Sequence, residues 1–132
     1  MSLATEELQI VDGQGRPRLL LSAQSGAAMI RLIGEDGTVG AEITLGSDGR
    51  PSVKLGNPDA GGPTASFEVD DKGAHVKFDR PGGASSYLFL NNAGGSGLVL
   101  IDDHGVRRLN AVLNADGDSR VERFAADGKP LA

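Results

Sequence analysis

Apolar and polar residues alternate in short runs along most of the chain, and the runs repeat with a step of about 23 residues. Val53, Val76 and Val99 fall 23 residues apart, and Ile30 precedes Val53 by the same step. Alternation with a period of two is typical of β-strands, and two strands per step predict a β-hairpin as the repeating unit. No stretch of ten residues has a helical period free of Gly or Pro, so we predict essentially no helix.

Glycine recurs about every eleven residues between these runs, at Gly15, Gly26, Gly37, Gly49, Gly61, Gly73, Gly83, Gly94, Gly105, Gly117 and Gly128. Several of these glycines, which we call the glycine ladder, belong to or lie near an Asp-Gly pair. Tight turns need residues with positive φ, which Gly adopts at little cost and Asp tolerates. The ladder therefore predicts hairpin turns. Segment 56–66 contains two prolines and is predicted to be a longer exposed loop.

These patterns predict an all-β fold, an antiparallel up-and-down meander of about 11–12 short strands built from ~23-residue hairpin repeats. We expect a single domain over residues 8–132, preceded by an N-terminal extension, residues 1–7. Open twisted sheets rarely exceed ~10 strands. We therefore expect closure into a barrel-like or two-layer shape, while packing of several chains around a common axis stays an alternative.

Alternating charges predict a strand register. Pairing Ile30 with Ile43 and Ile43 with Val53 places Glu42 opposite both Arg31 and Lys54. Continuing with Leu55 opposite Phe67 and Phe67 opposite Phe78 gives one charged row, Arg31, Glu42, Lys54, Glu68 and Lys77. Opposite charges that face each other across strands stabilise such a register.

The alternation ends after Lys77. Residues 87–90 and 98–101 are apolar at every position. Either the chain folds back and buries both faces of these strands, or they form a contact surface for another subunit, another protein or a ligand. We predict an interface formed by Tyr87, Leu88, Phe89, Leu90, Leu98, Val99, Leu100 and Ile101.

The composition excludes several classes of function. A net charge of −5 argues against binding nucleic acid or an anionic membrane, and the absence of Cys excludes thiol chemistry. No apolar run approaches the ~20 residues of a membrane span, so no membrane insertion is expected. The first residues lack the apolar stretch of a signal peptide. We expect a soluble chain and favour the cytoplasm, leaving the compartment otherwise open.

Motifs for catalysis or metal binding are missing. His75 and His104 are interpreted as solvated turn or edge residues, and no Gly-x-Ser-x-Gly elbow or phosphate-binding loop is present. Residues 114–118 look like a calcium loop, but Val112 and Arg123 would stand at ligand positions. The paired acids Asp70-Asp71 and Asp102-Asp103 are interpreted as solvated turns, with a cation site as the alternative. We predict no catalytic residues, no cofactor, no metal and no enzymatic activity.

Two segments share one form, an apolar strand, an Asp-x-x-Gly turn, a basic residue and a second apolar strand. They are residues 8–21 and 100–109. This form resembles tandem β-hairpin repeats of uncharacterised bacterial proteins, a resemblance that implies a bacterial source and attaches no activity. MORN repeats have a similar length, but their Tyr-x-Gly and Trp pattern is absent.

We therefore expect a non-enzymatic structural or protein-interaction module, forming a homo-oligomer or docking another protein. The alternative is a β-barrel that binds a small apolar or carbohydrate ligand, with Tyr87 as the one tyrosine available to stack on a sugar.

Overall fold

The computed structural model describes all 132 residues and contains eleven strands in one antiparallel sheet and no helix. The strands are β1 (Glu7–Val11), β2 (Pro17–Ser22), β3 (Ala28–Ile33), β4 (Val39–Leu45), β5 (Pro51–Leu55), β6 (Thr64–Val69), β7 (Gly73–Asp79), β8 (Ser85–Asn91), β9 (Ser96–Ile101), β10 (Arg107–Leu113) and β11 (Ser119–Arg123). Each strand pairs with its neighbours in sequence. The all-β, up-and-down meander is thus confirmed.

The glycine ladder marks the turns as predicted. Ten of its eleven glycines have positive φ, and the exception is the β7–β8 turn, where Gly82 takes this conformation instead of Gly83. Every residue with positive φ is a glycine. No Asp in these turns therefore adopts the positive φ that we expected Asp to tolerate. The Asp side chains instead accept hydrogen bonds from the turn backbone, as Asp36 Oδ1 does from Thr38 N at 3.0 Å.

The predicted register is correct for the first charged pairs and wrong for the later ones. Glu42 lies opposite both Arg31 and Lys54. Lys54, however, faces Ser66, and Glu68 lies opposite Ser52 and His75. This difference is a shift of two residues, which keeps every side chain on its face, so the hydrophobic pattern alone could not detect it. The shift begins across the long connection between β5 and β6.

The sheet is open and has a single layer, so the predicted barrel-like or two-layer closure is not reached. β1 and β11 each pair on one side, and contacts between strands involve sequence neighbours alone. Beyond β11 the chain makes one isolated bridge, between Phe124 and Pro130, instead of a twelfth strand. A barrel of this many strands would enclose a lumen too wide for aliphatic side chains to fill.

The two sides of the sheet differ sharply. On one side, which we call the apolar face, an unbroken cross-strand row runs over all strands: Leu8, Leu21, Ile30, Ile43, Val53, Phe67, Val76, Leu88, Leu98, Ala111 and Val121. The opposite side, the polar face, carries a cross-strand row of Arg31, Glu42, Lys54, Ser66 and Lys77, in which Ser66 is the uncharged member. Alternation therefore produced two faces without a second layer to cover the apolar one.

Candidate functional site

No second layer of strands covers the apolar face. The only buried residues are Gly73, Val99 and Asn110, and Val99 lies on the polar face. On the apolar face Phe67 and Leu88 are 58% and 57% exposed. A chain of 13.6 kDa exposes 9026 Å² here, whereas a compact monomer of this mass exposes about 6,600 Å². The excess of about 2,400 Å² reflects a single-layer sheet with both faces open to solvent.

Three broad hollows follow one another along the apolar face. The first, of about 680 Å³, lies over β1–β5 beneath the N-terminal residues Leu3–Glu6. The second, of about 660 Å³, contains Phe67 and Leu88, and the third, of about 550 Å³, reaches Val121 on β11. Apolar surface therefore continues from one edge of the sheet to the other.

Alternation divides the predicted interface residues between the two faces. Leu88, Leu90, Leu98 and Leu100 lie on the apolar face and are exposed. Tyr87, Phe89, Val99 and Ile101 lie on the polar face, where all but the buried Val99 are half-buried. No strand folds back over the four leucines, so that alternative does not apply. The apolar surface is also much wider than segment 87–101.

Glu42 lies among the charged residues of the polar face and accepts two side-chain hydrogen bonds there. Its Oε2 accepts a hydrogen bond of 2.6 Å from Arg31 Nε, and its Oε1 accepts one of 3.1 Å from Thr44 Oγ1. The hydrogen bond from Arg31 is the main cause that lowers the pKa of Glu42, against the opposing effect of burial. This pair holds the register of β3 and β4.

A second region of the polar face contains a cavity of about 410 Å³ over β7–β10, which we call the polar-face cavity. One cross-strand row, Lys77, Tyr87, Val99 and Asn110, runs through it. The rings of Tyr87 and Phe89 lie 6.0 Å apart between centroids and are tilted by 46°. Arg107 Nη2 donates a 2.9 Å hydrogen bond to Tyr87 Oη.

The two histidines have different surroundings. His104 is exposed in a turn, as expected. His75 lies within β7, in the interior of the sheet, with its Nε2 3.2 Å from Glu68 Oε2 and its Nδ1 3.8 Å from Asp70 Oδ2. It is half-buried, so its interpretation as a solvated edge residue is wrong. Hydrogen bonds from the backbone N–H of Lys72, first, and of Gly73 lower the pKa of Asp70 despite partial desolvation.

The acidic turn at Asp102 brings three possible metal ligands, Asp102, Asp103 and His104, within 4.8 Å of one another. The Asp102 carboxylate is already engaged, because its Oδ1 accepts from the N–H of His104 and Val106 and its Oδ2 from Arg108. These bonds, led by that from Val106, lower the pKa of Asp102. The Asp102 carboxylate therefore stabilises the turn through these hydrogen bonds, and we propose no metal site at this cluster.

Sequence reasoning did not single out Asn110, Arg107, Lys72 or Lys77 as site residues. The signal for Asn110 was present, since it is the one polar residue within the run Leu109–Leu113. The cationic residues carried no such signal because they come from separate strands and turns.

No protein-family model and no curated protein matches this chain. The structure has no helix long and apolar enough to cross a membrane.

Proposed function

We propose that this chain is a non-enzymatic structural module that self-associates, a second copy covering its apolar face. The observation that carries the proposal is the row of eleven apolar residues that crosses the entire sheet without a covering layer. Two such sheets packed face to face form a sandwich about 10 Å between layers, with interleaved side chains.

The size of the face favours a second copy. Eleven strands at a spacing of about 4.8 Å make a surface about 48 Å wide, which another sheet of the same width covers completely. With strands of five to seven residues, about 20 Å long, one face has a footprint of about 1,000 Å², so the pair would bury about 2,000 Å² in total, at the lower limit of obligate homodimers.

The charge pattern also favours self-association. The rows that flank the central one are Ile10, Leu19, Leu32, Ala41, Leu55, Ala65, Phe78, Ser86, Leu100, Leu109 and Arg123 on one side, and Ala28, Leu45 and Pro51 with Val69, Ala74, Leu90, Ser96, Leu113 and Ser119 on the other. Arg123, on the last strand, is the only charged residue among them. A face so nearly free of charge is complementary to itself in a two-fold arrangement and offers little to steer a charged partner.

Sedimentation equilibrium of the purified chain tests the proposal. The expected mass is that of a dimer, twice 13.6 kDa. Leu88→Glu places a carboxylate at the centre of the apolar face and should shift the mass toward the monomer. Ser66→Glu is the matched control, because it adds the same charge on the polar face between Lys54 and Lys77 and should leave the mass unchanged.

A monomer at every concentration would contradict the proposal, and so would a Leu88→Glu chain with the wild-type mass. If Leu88→Glu does not fold, Val121→Glu gives a second test at the outer strand, where the side chain is 69% exposed. A folded monomer whose apolar face binds a hydrophobic dye would point to a different protein as the covering partner.

A further inference from the structure

Three cationic side chains without a carboxylate partner line the polar-face cavity. Of the thirteen Lys and Arg residues, seven have a carboxylate within 4.0 Å. The six that do not are Lys54, Lys72, Lys77, Arg80, Arg107 and Arg123. Lys72, Lys77 and Arg107, half of this group, line the polar-face cavity. In a chain of net charge −5, such a local positive excess attracts an anion.

The acidic group of the lining does not cancel this charge fully. Asp70 is its only carboxylate, and its Oδ1 already accepts from the N–H groups of Lys72 and Gly73. Its Oδ2 lies on the side of His75, 3.8 Å from Nδ1. Lys77 and Arg107, the cations nearest Tyr87, therefore have no carboxylate partner, and the hydrogen bond of Arg107 to the neutral Tyr87 Oη leaves its charge available to an anion.

Aromatic and aliphatic surface lies beside these charges. Tyr87 and Phe89 form one wall of the polar-face cavity, and Val99, which is 2% exposed, lies between them and Asn110. Their rings are tilted by 46° and leave no parallel slot for a flat base, whereas the C–H surface of a sugar ring packs against one aromatic face at a time.

Asn110 supplies an unsatisfied polar group in the same place. Its side chain lines the polar-face cavity, the residue is 9% exposed, and its Oδ1 is buried without a hydrogen-bond partner. Native proteins pair nearly all buried polar atoms. Oδ1 has essentially no accessible surface in the free protein, so the amide must turn toward the polar-face cavity before a ligand hydroxyl can satisfy this acceptor.

From these features we infer that the polar-face cavity binds an acidic sugar, a pyranose ring that carries a carboxylate. Arg107 and Lys77, the two cations beside Tyr87, bind the carboxylate, Tyr87 and Phe89 contact the ring, and Asn110 accepts from a hydroxyl. The volume of about 410 Å³ lies in the range of small-molecule sites. The inference does not depend on self-association, because Lys77, Tyr87, Phe89 and Asn110 stand on the polar face; of the lining, Ala74 and Leu90 belong to the apolar face.

Isothermal titration calorimetry with trigalacturonate tests this inference, with neutral maltotriose and adenosine monophosphate as comparison ligands. We expect saturable binding of trigalacturonate and no binding of maltotriose or adenosine monophosphate. Lys77→Gln and Arg107→Gln should each weaken it about tenfold, the effect of losing one charged hydrogen bond. Arg80→Gln removes an equally unpaired charge outside the lining and should change the affinity less than about twofold. Equal binding of maltotriose, preference for the nucleotide, or no heat with trigalacturonate at about 10 mM overturns the inference.

Asn110→Leu separates a ligand role from a structural one. A purely structural Asn110 would leave the affinity unchanged when replaced by a side chain of similar shape. We expect instead a loss of about tenfold in affinity with no loss in thermal stability, since no hydrogen bond to Oδ1 is removed. Wild-type affinity in this variant would exclude Asn110 as the acceptor. If the variant does not fold, the affinities of Lys77→Gln and Arg107→Gln decide whether the polar-face cavity is the binding site.

Discussion

The ring of Phe89 on β8 lies over the backbone of Gly97, its direct partner on β9. A Cβ built on Gly97 would stand 3.0 Å from two carbons of that ring and 2.8 Å from the carbonyl oxygen of Ala111. The missing side chain of Gly97 thus gives Phe89 its position in the wall of the polar-face cavity.

Replacing Gly97 with Ala should lower the free energy of unfolding by about 1–3 kcal/mol, because the methyl group displaces both a ring and a strand backbone. Urea denaturation measures the loss. Gly13→Ala is the control, since its Cβ would meet nothing within 4 Å and its φ is not positive, and it should stay within about 0.5 kcal/mol of the wild type. Equal effects of the two changes would contradict the placement of Phe89.

Double-mutant cycles test the register. Arg31 and Glu42 are directly paired and hydrogen-bonded, so a coupling energy of about 0.5 kcal/mol is expected between their Ala variants. Lys54 and Glu68 are offset by two residues in the observed register, and their coupling should be below about 0.2 kcal/mol. Equal coupling in the two cycles would favour the register predicted from the charges instead.

Stability should fall in acid. Hydrogen bonds from Arg31 lower the pKa of Glu42, and backbone N–H groups, led by that of Val106, lower the pKa of Asp102. Groups with depressed pKa values stabilise the folded state above their ordinary pKa of about 4, and this contribution is lost as the pH falls through the depressed value, because the unfolded chain binds more protons there.

The free energy of unfolding should therefore be nearly constant from pH 7 to about 5 and decrease below about 4. Urea midpoints at each pH measure it. Glu42→Gln should show a shallower decrease than the wild type, because one of the titrating groups is gone. Stability that is unchanged down to pH 3 would contradict this expectation.

The turn glycines can be tested at Gly37, whose φ is +87°. Gly37→Ala forces a side chain into the left-handed region and should cost about 1–2 kcal/mol. Gly37→Asn should cost less, since Asn enters this region more readily. Thermal unfolding of the two variants gives the comparison, and an Ala variant as stable as the wild type would show that the turn can change conformation.

Local features of this fold were predictable because each depends on a few neighbouring residues. The positive φ of Gly15 or Gly117 follows from the geometry of one hairpin turn, and the alternation around Ile30 assigns side chains to two faces. The pairing of Arg31 with Glu42 was also accessible, since a short turn joins β3 to β4. The pairing of Lys54 with Ser66, instead of the predicted Glu68, was not, because a two-residue shift across the loop preserves both faces and leaves the pattern unchanged.

The sequence by itself determined the strands, the turns and the separation of apolar from polar side chains, which local geometry dictates. The tertiary structure decided that the sheet stays open and that Lys77, Tyr87, Val99 and Asn110, from four different strands, share one row. Closure depends on the twist and curvature summed over all eleven strands, and neighbours across a sheet depend on every intervening register. Neither quantity is contained in the alternation of any single segment.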